Sequence, residues 1–87
     1  MTEYLVTFAA SARKELKDLP PDIIGRLLPK IRGLSGNPRP AGCKKLHGYK
    51  HRWRIRVGNY RVVYAIDDAG KAVDITRIAH PKDAYEL

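Results

Sequence analysis

Apolar and charged positions alternate along the stretch from Trp53 to Tyr64, on either side of a turn at Gly58-Asn59. Alternation with period two is the mark of a half-buried strand. Two such runs around a two-residue loop containing glycine predict a β-hairpin. With Gly58 and Asn59 as the loop, Val57 pairs with Tyr60, Arg56 with Arg61 and Ile55 with Val62. Directly opposed side chains share a face. Trp53, Ile55, Val57, Tyr60, Val62, Tyr64 and Ile66 therefore point towards a core, and Arg54, Arg56 and Arg61 point away from it.

Helical and strand periods account for most of the remaining chain. Tyr4 to Phe8 is a short run of β-forming residues. Ala12, Leu16 and Leu19 recur at helical spacing within Ala9 to Leu19, and Pro20-Pro21 ends that helix for want of backbone donors. A second helix carries Ile23, Ile24, Leu27, Leu28, Ile31 and Leu34 on one stripe, with Asp22 as its expected cap and Pro29 expected to kink or split it. Gly33 to Gly42 is rich in glycine and proline and reads as a loop. Lys44-Lys45-Leu46 leads into the hairpin or begins a short strand of its own. Asp67 to Lys71 signals a turn. Ala72 to Ala79 is the last strand, with Val73, Ile75, Arg77 and Ala79 expected on one face and Asp74, Thr76, Ile78 and His80 on the other. The order is β-α-α-β-β-β, an α+β class in which two N-terminal helices cover one face of a mostly antiparallel sheet and leave the arginine face open. Residues 1–87 are expected to form one domain, and no internal repeat or linker interrupts them.

Charge sharpens this picture. The chain of 87 residues holds 17 Lys and Arg against 9 Asp and Glu, a formal net charge of +8. No acidic residue occurs between Asp22 and Asp67, while Arg26, Lys30, Arg32, Arg39, Lys44, Lys45, Lys50, Arg52, Arg54, Arg56 and Arg61 all fall there. A one-signed block on strands, interleaved with Tyr49, Trp53 and Tyr60, suits a nucleic acid better than a membrane surface. Like charges directly opposed across a sheet cost stability. An anion between Arg56 and Arg61 would convert that repulsion into binding. The competing reading is a solvated face whose arginines serve only solubility.

No apolar run approaches the roughly 20 residues needed to span a bilayer, and the first residues lack the pattern of a secretory signal. Cys43 is the single cysteine, which fits a reducing cytoplasm. His47, His51 and His80 have no partner at metal-ligand spacing, so no metal site is expected. No phosphate-cradling glycine motif is present, so no nucleotide cofactor is expected either. Ser11 and Ser35 have no setting for a hydrolase. Cleaving RNA requires a group to take the 2′-OH proton, cations around the phosphate and a donor for the leaving oxygen. Arg54, Arg56 and Arg61 are candidates for the cations, His80 for proton transfer, and Tyr85 for contact with phosphate or base. Lys44, Lys45, Lys50, Arg52 and Lys82 are candidate RNA contacts.

Lys45-Leu46-His47-Gly48, Trp53 to Tyr64, and the closing Arg77-Ile78-Ala79-His80-Pro81-Lys82-Asp83-Ala84-Tyr85 together resemble the RelE/ParE toxin family, in its RelE branch. The similarity runs essentially end to end. It implies a RelE-like fold and a toxin of a type II toxin–antitoxin pair that cuts mRNA in the ribosomal A site without a metal or other cofactor. It also implies a neighbouring RelB-like antitoxin, with operator DNA bound only through the toxin–antitoxin complex and no role for a membrane. By position, Arg54 and Arg56 match basic strand residues beside the scissile phosphate. Arg61 matches the phosphate-stabilising arginine, and Tyr85 the terminal tyrosine. The chain departs from the family pattern at Pro81, where a terminal arginine is usual and Lys82 is the nearest substitute. A ParE-like DNA gyrase inhibitor, or a degenerate toxin that only binds its antitoxin, are the alternatives.

Overall fold

The computed structural model describes residues 3–80. Its elements are β1 (Leu5–Phe8), α1 (Ala10–Lys17), α2 (Pro21–Gly33), β2 (Lys44–Lys45), β3 (Arg52–Val57), β4 (Tyr60–Asp67) and β5 (Ala72–Ala79). The five strands form one mixed sheet in the order β1-β5-β4-β3-β2. Only β1 and β5 run parallel; the other pairs are antiparallel. Among the described residues no helix is long and apolar enough to cross a membrane.

The hairpin has the expected register: Val57 faces Tyr60, Arg56 faces Arg61, and Ile55 faces Val62. Gly58 takes φ of +61° at the turn, a conformation open to glycine and costly for most side chains. Ile55, Val62, Tyr64 and Ile66 enter the core, where they meet Ala12 of α1 and Leu27, Ile31 and Leu34 from α2 and its end. Burial of this apolar surface is the main stabilising term.

Three expectations are corrected. The first concerns the start of α2, where Asp22 does not cap the helix. Pro21 occupies its first position, Pro20 precedes it as N-cap, and Asp22 lies in the first turn, where its charge complements the helix dipole. The second concerns Pro29, which neither splits nor ends α2. Pro29 and Gly25, four residues earlier, are both exposed. The Gly25 carbonyl that loses its helical donor is on the wet side, where water replaces the missing bond.

The third concerns β5, which does not alternate regularly. Its pairing with β4 slips by one residue between Tyr64↔Ile75 and Val63↔Arg77, leaving Thr76 as an extra residue. This is a β-bulge, and a one-residue slip exchanges the two faces of a strand. Val73 and Ile75 point into the core before the bulge and Ile78 points into it afterwards. Arg77 and Ala79 move to the opposite face, beside Val63 and Arg61. The Thr76 hydroxyl donates to the Val63 carbonyl at 3.2 Å and so ties the bulge to β4.

The segment between α2 and β2 is held by polar contacts. The buried Tyr64 hydroxyl donates to the Pro38 carbonyl at 2.7 Å, and burial, with Cys43 beside it, pushes the phenol pKa up. Arg39 donates to both carboxylate oxygens of Asp68, at 3.1 and 2.8 Å, and the Tyr4 hydroxyl adds a third bond at 2.7 Å. These donors pull the Asp68 pKa down to about 2 from an ordinary value of 3.8. A carboxylate with a depressed folded-state pKa stabilises the fold above its unfolded pKa and loses that contribution as pH falls through the folded value. The stability gap between wild type and Asp68→Asn, measured by thermal unfolding from pH 7 to 2, is therefore expected to hold down to about pH 4 and close between about pH 4 and 2. A gap constant across that range would show that the ionised carboxylate contributes nothing.

Candidate nucleic-acid interface

The helices cover one side of the sheet, and the other carries the cations. The register gives this face its layout row by row. Arg56, Arg61 and Ala79 form the row nearest the hairpin turn. Lys44, Arg54, Val63 and Arg77 form the next, one residue from each of β2 to β5. Arg52, Ala65, Asp74 and Thr7 form the third.

Arg54 is the centre of this arrangement. It is 9% exposed, and its Nη1 is fully buried without a hydrogen-bond partner among the described residues. An unsatisfied buried donor costs about 1–3 kcal/mol, and more when it is charged. Burial, followed by the charges of Arg61 and Arg56, lowers its pKa. A fold selected only for stability would place an apolar side chain here. An anion docked on the face supplies what Arg54 lacks. Val63, 3% exposed, stands between Arg54 and Arg77 and provides a dry floor on which charge interactions are strong.

The candidate residues distribute as follows. Arg54, Arg56 and Arg61 share the open face, and Lys44 joins them through its pairing with Arg54. Arg52 stands in the third row, its guanidinium 5.0 Å from the centre of the exposed Tyr49 ring. Lys45 pairs with Trp53 and so belongs to the helix side, and Lys50 is exposed in the loop before β3. Trp53 and Tyr60 also lie on the helix side, partly buried against the core. Arg39 caps the Trp53 ring at 4.8 Å and is tied to Asp68, so neither residue belongs to the cationic face. His80 follows Ala79 at the end of β5, with its ring edge-on to Tyr60 at 5.7 Å between centroids. Lys82 and Tyr85 lie outside the described residues.

One basic residue of this face was missed by the alternation pattern. Arg77 reaches it through the Thr76 bulge, and Glu15 of α1 approaches its Nε at 3.6 Å. The same carboxylate accepts the Ile78 N–H at 2.8 Å, in the stretch of β5 that extends beyond β1. The local signal was Ile75 and Ile78, two apolar residues three apart in a strand otherwise of period two.

Residues 6–85 match the family described as the ParE toxin of the type II toxin–antitoxin system parDE. The chain belongs to the RelE/ParE toxin family. It is 35% identical to the toxin RelG of Mycobacterium tuberculosis over 83 residues, covering 94% of this chain and 95% of that one. The toxin–antitoxin complex RelBE2 of the same organism superposes with a TM-score of 0.80 at 33% identity, over 91% of this chain and 99% of the matched one. The RelE–RelB complex of the archaeon Pyrococcus horikoshii also gives 0.80, at 29% identity, over 93% and 97%. The α+β architecture is thus the family's own, and these relatives make the chain a type II toxin.

Proposed function

We propose that this toxin is a metal-independent endoribonuclease that cuts mRNA in the ribosomal A site and so stops translation. The observation that carries this reading is the buried Nη1 of Arg54, which has no hydrogen-bond partner among the described residues, beside the opposed pair Arg56 and Arg61 on an open face. In the proposed step the ribose 2′-oxygen attacks the adjacent phosphorus. The bond from phosphorus to the 5′-oxygen breaks, giving a 2′,3′-cyclic phosphate and a 5′-hydroxyl. Arg54, Arg56 and Arg61 stabilise the negative charge that accumulates on the phosphoryl oxygens. Arginine stays protonated at neutral pH, so it serves as an electrostatic group and not as the base. The 2′-OH proton is assigned to His80, whose imidazole can accept or donate a proton. Tyr85 is assigned to the substrate base or to the leaving oxygen. Lys44, Lys50, Arg52 and Lys82 are assigned to the flanking RNA.

The solved complexes of similar toxins with RelB support a cognate antitoxin for this chain as well. Its acidic side chains would cover the arginines or displace the C-terminal residues, and operator DNA would be reached only through that complex. The place of action is the cytoplasm, where ribosomes are.

A second reading, a gyrase inhibitor that cuts nothing, draws on the ParE name of the matched family. Cleavage of mRNA on programmed ribosomes separates the two. Wild type is expected to cut within the A-site codon, and Arg61→Ala to cut about 100-fold more slowly, the usual loss on removing one preorganised charge donor. His80→Ala is expected to slow cleavage by about 100-fold, the low end of what a positioned proton-transfer group contributes. Intact mRNA with wild-type protein would overturn the nuclease and leave the gyrase reading.

A further inference from the structure

Over β4 and β5 the open face is cationic at one end only, whereas β3 presents Arg52, Arg54 and Arg56 along its length. Along β4 its outward residues run Arg61, Val63, Ala65, Asp67, and along β5 they run Ala79, Arg77 and, beyond the bulge, Asp74 and Ala72. A chain of phosphates laid along β4 would leave Arg61 and reach Asp67 within six residues, about 20 Å at ~3.4 Å per residue, and one laid along β3 would meet Arg56, Arg54 and Arg52 alone. Asp74 stands one row from Arg77, exposed enough to accept the Thr7 hydroxyl at 3.1 Å. Laid across the strands, the same phosphates stay among cations. The row Lys44–Arg54–Val63–Arg77 spans three strand spacings, about 14 Å at ~4.8 Å each, with Arg56 and Arg61 alongside.

We propose that single-stranded RNA crosses the strands of this sheet, entering over Lys44, passing its central phosphate over Arg54 and leaving over Arg77, with Asp74 and Asp67 barring the path along β4 and β5. This rests on the nuclease reading and deepens it. It gives the toxin two flanking contacts, one from each side of the central arginines, and an orientation for the substrate. Arg77 becomes an RNA contact positioned by Glu15, whose carboxylate also anchors the Ile78 backbone of the same strand. The bulge that brings Arg77 onto the face leaves Asp74 directly beyond it.

The test is fluorescence anisotropy of a labelled 2′-O-methyl oligouridylate, which binds but lacks the attacking hydroxyl, titrated with purified full-length toxin over a series of salt concentrations. Each phosphate contact contributes about 0.7 to the slope of log affinity against log salt for a single strand. Lys44→Ala and Arg77→Gln are each expected to weaken binding and reduce that slope by about 0.7, with Arg77→Lys restoring it. Asp74→Asn is expected to tighten binding, a gain that misfolding does not mimic. Unchanged slopes in Lys44→Ala and Arg77→Gln, with Arg61→Ala still weakened, would overturn the transverse path and leave the nuclease reading in place. Absence of RNA binding by wild type would overturn the reading beneath it.

Discussion

Arg54→Met is expected to make the protein more stable and at the same time inactive. The side chain is 9% exposed, its Nη1 has no hydrogen-bond partner among the described residues, and its neighbours on the face are cations. Methionine has similar length, fills the space beside Val63 and needs no hydrogen bond. Replacing buried charged groups by apolar ones of like size is often stabilising by about 1–4 kcal/mol. At about 4–8 °C per kcal/mol for a domain of this size, the melting temperature should rise by at least several degrees. Cleavage should fall by about 1,000-fold, at the upper end of the loss for one charge donor, because Arg54 acts from a dry site where its field is least screened. Thermal unfolding and ribosomal cleavage on the same preparation check both signs. A variant both less stable and inactive would show that Arg54 has a structural partner, and an active variant would remove it from the site. The opposed signs are what separates a functional arginine from one that merely keeps the sheet soluble.

The hairpin was legible because its two physical determinants are local. Alternation from Trp53 to Tyr64 fixes which side chains share a face, and the glycine-containing turn fixes the register. The opposition of Arg56 and Arg61 followed from those alone. The fold on the far side of the sheet was less legible. Thr76 is an ordinary strand residue, and only packing against β4 shows it to be the extra one. That single residue decides whether Arg77 is a buried oddity or a member of the cationic face. Pro29 misled for the opposite reason. Its penalty depends on whether the orphaned Gly25 carbonyl meets water, and that depends on which side of α2 faces the sheet. Charge counting overestimated the interface in the same way, since Arg39 is spent on Asp68 and Trp53, and Lys45 faces the helix side.

The two faces of the sheet should be separable by mutation, and Leu27→Ala is expected to show it with the largest loss of stability among the changes considered. Leu27 is fully buried on α2 and lies, with Arg26, at a small cleft against Val57 and Tyr60 of the hairpin, on the side of the sheet opposite Arg54, Arg56 and Arg61. Truncating a buried leucine costs about 2–5 kcal/mol, from lost burial and from the cavity left behind. A chain of this size is stable by only about 4–13 kcal/mol, so the variant should melt at least 10 °C lower and unfold at visibly lower urea. Far-UV circular dichroism well below the new midpoint should still show the native fold. There, cleavage per folded molecule should stay within a few-fold of wild type, because Arg54, Arg56 and Arg61 are held in register by the pairing of β3 with β4. A folded Leu27→Ala variant that had lost cleavage would mean that the helix layer takes part in the site. His80, whose ring rests on Tyr60 at the rim of that cleft, would then be the group through which the packing of α2 reaches the chemistry.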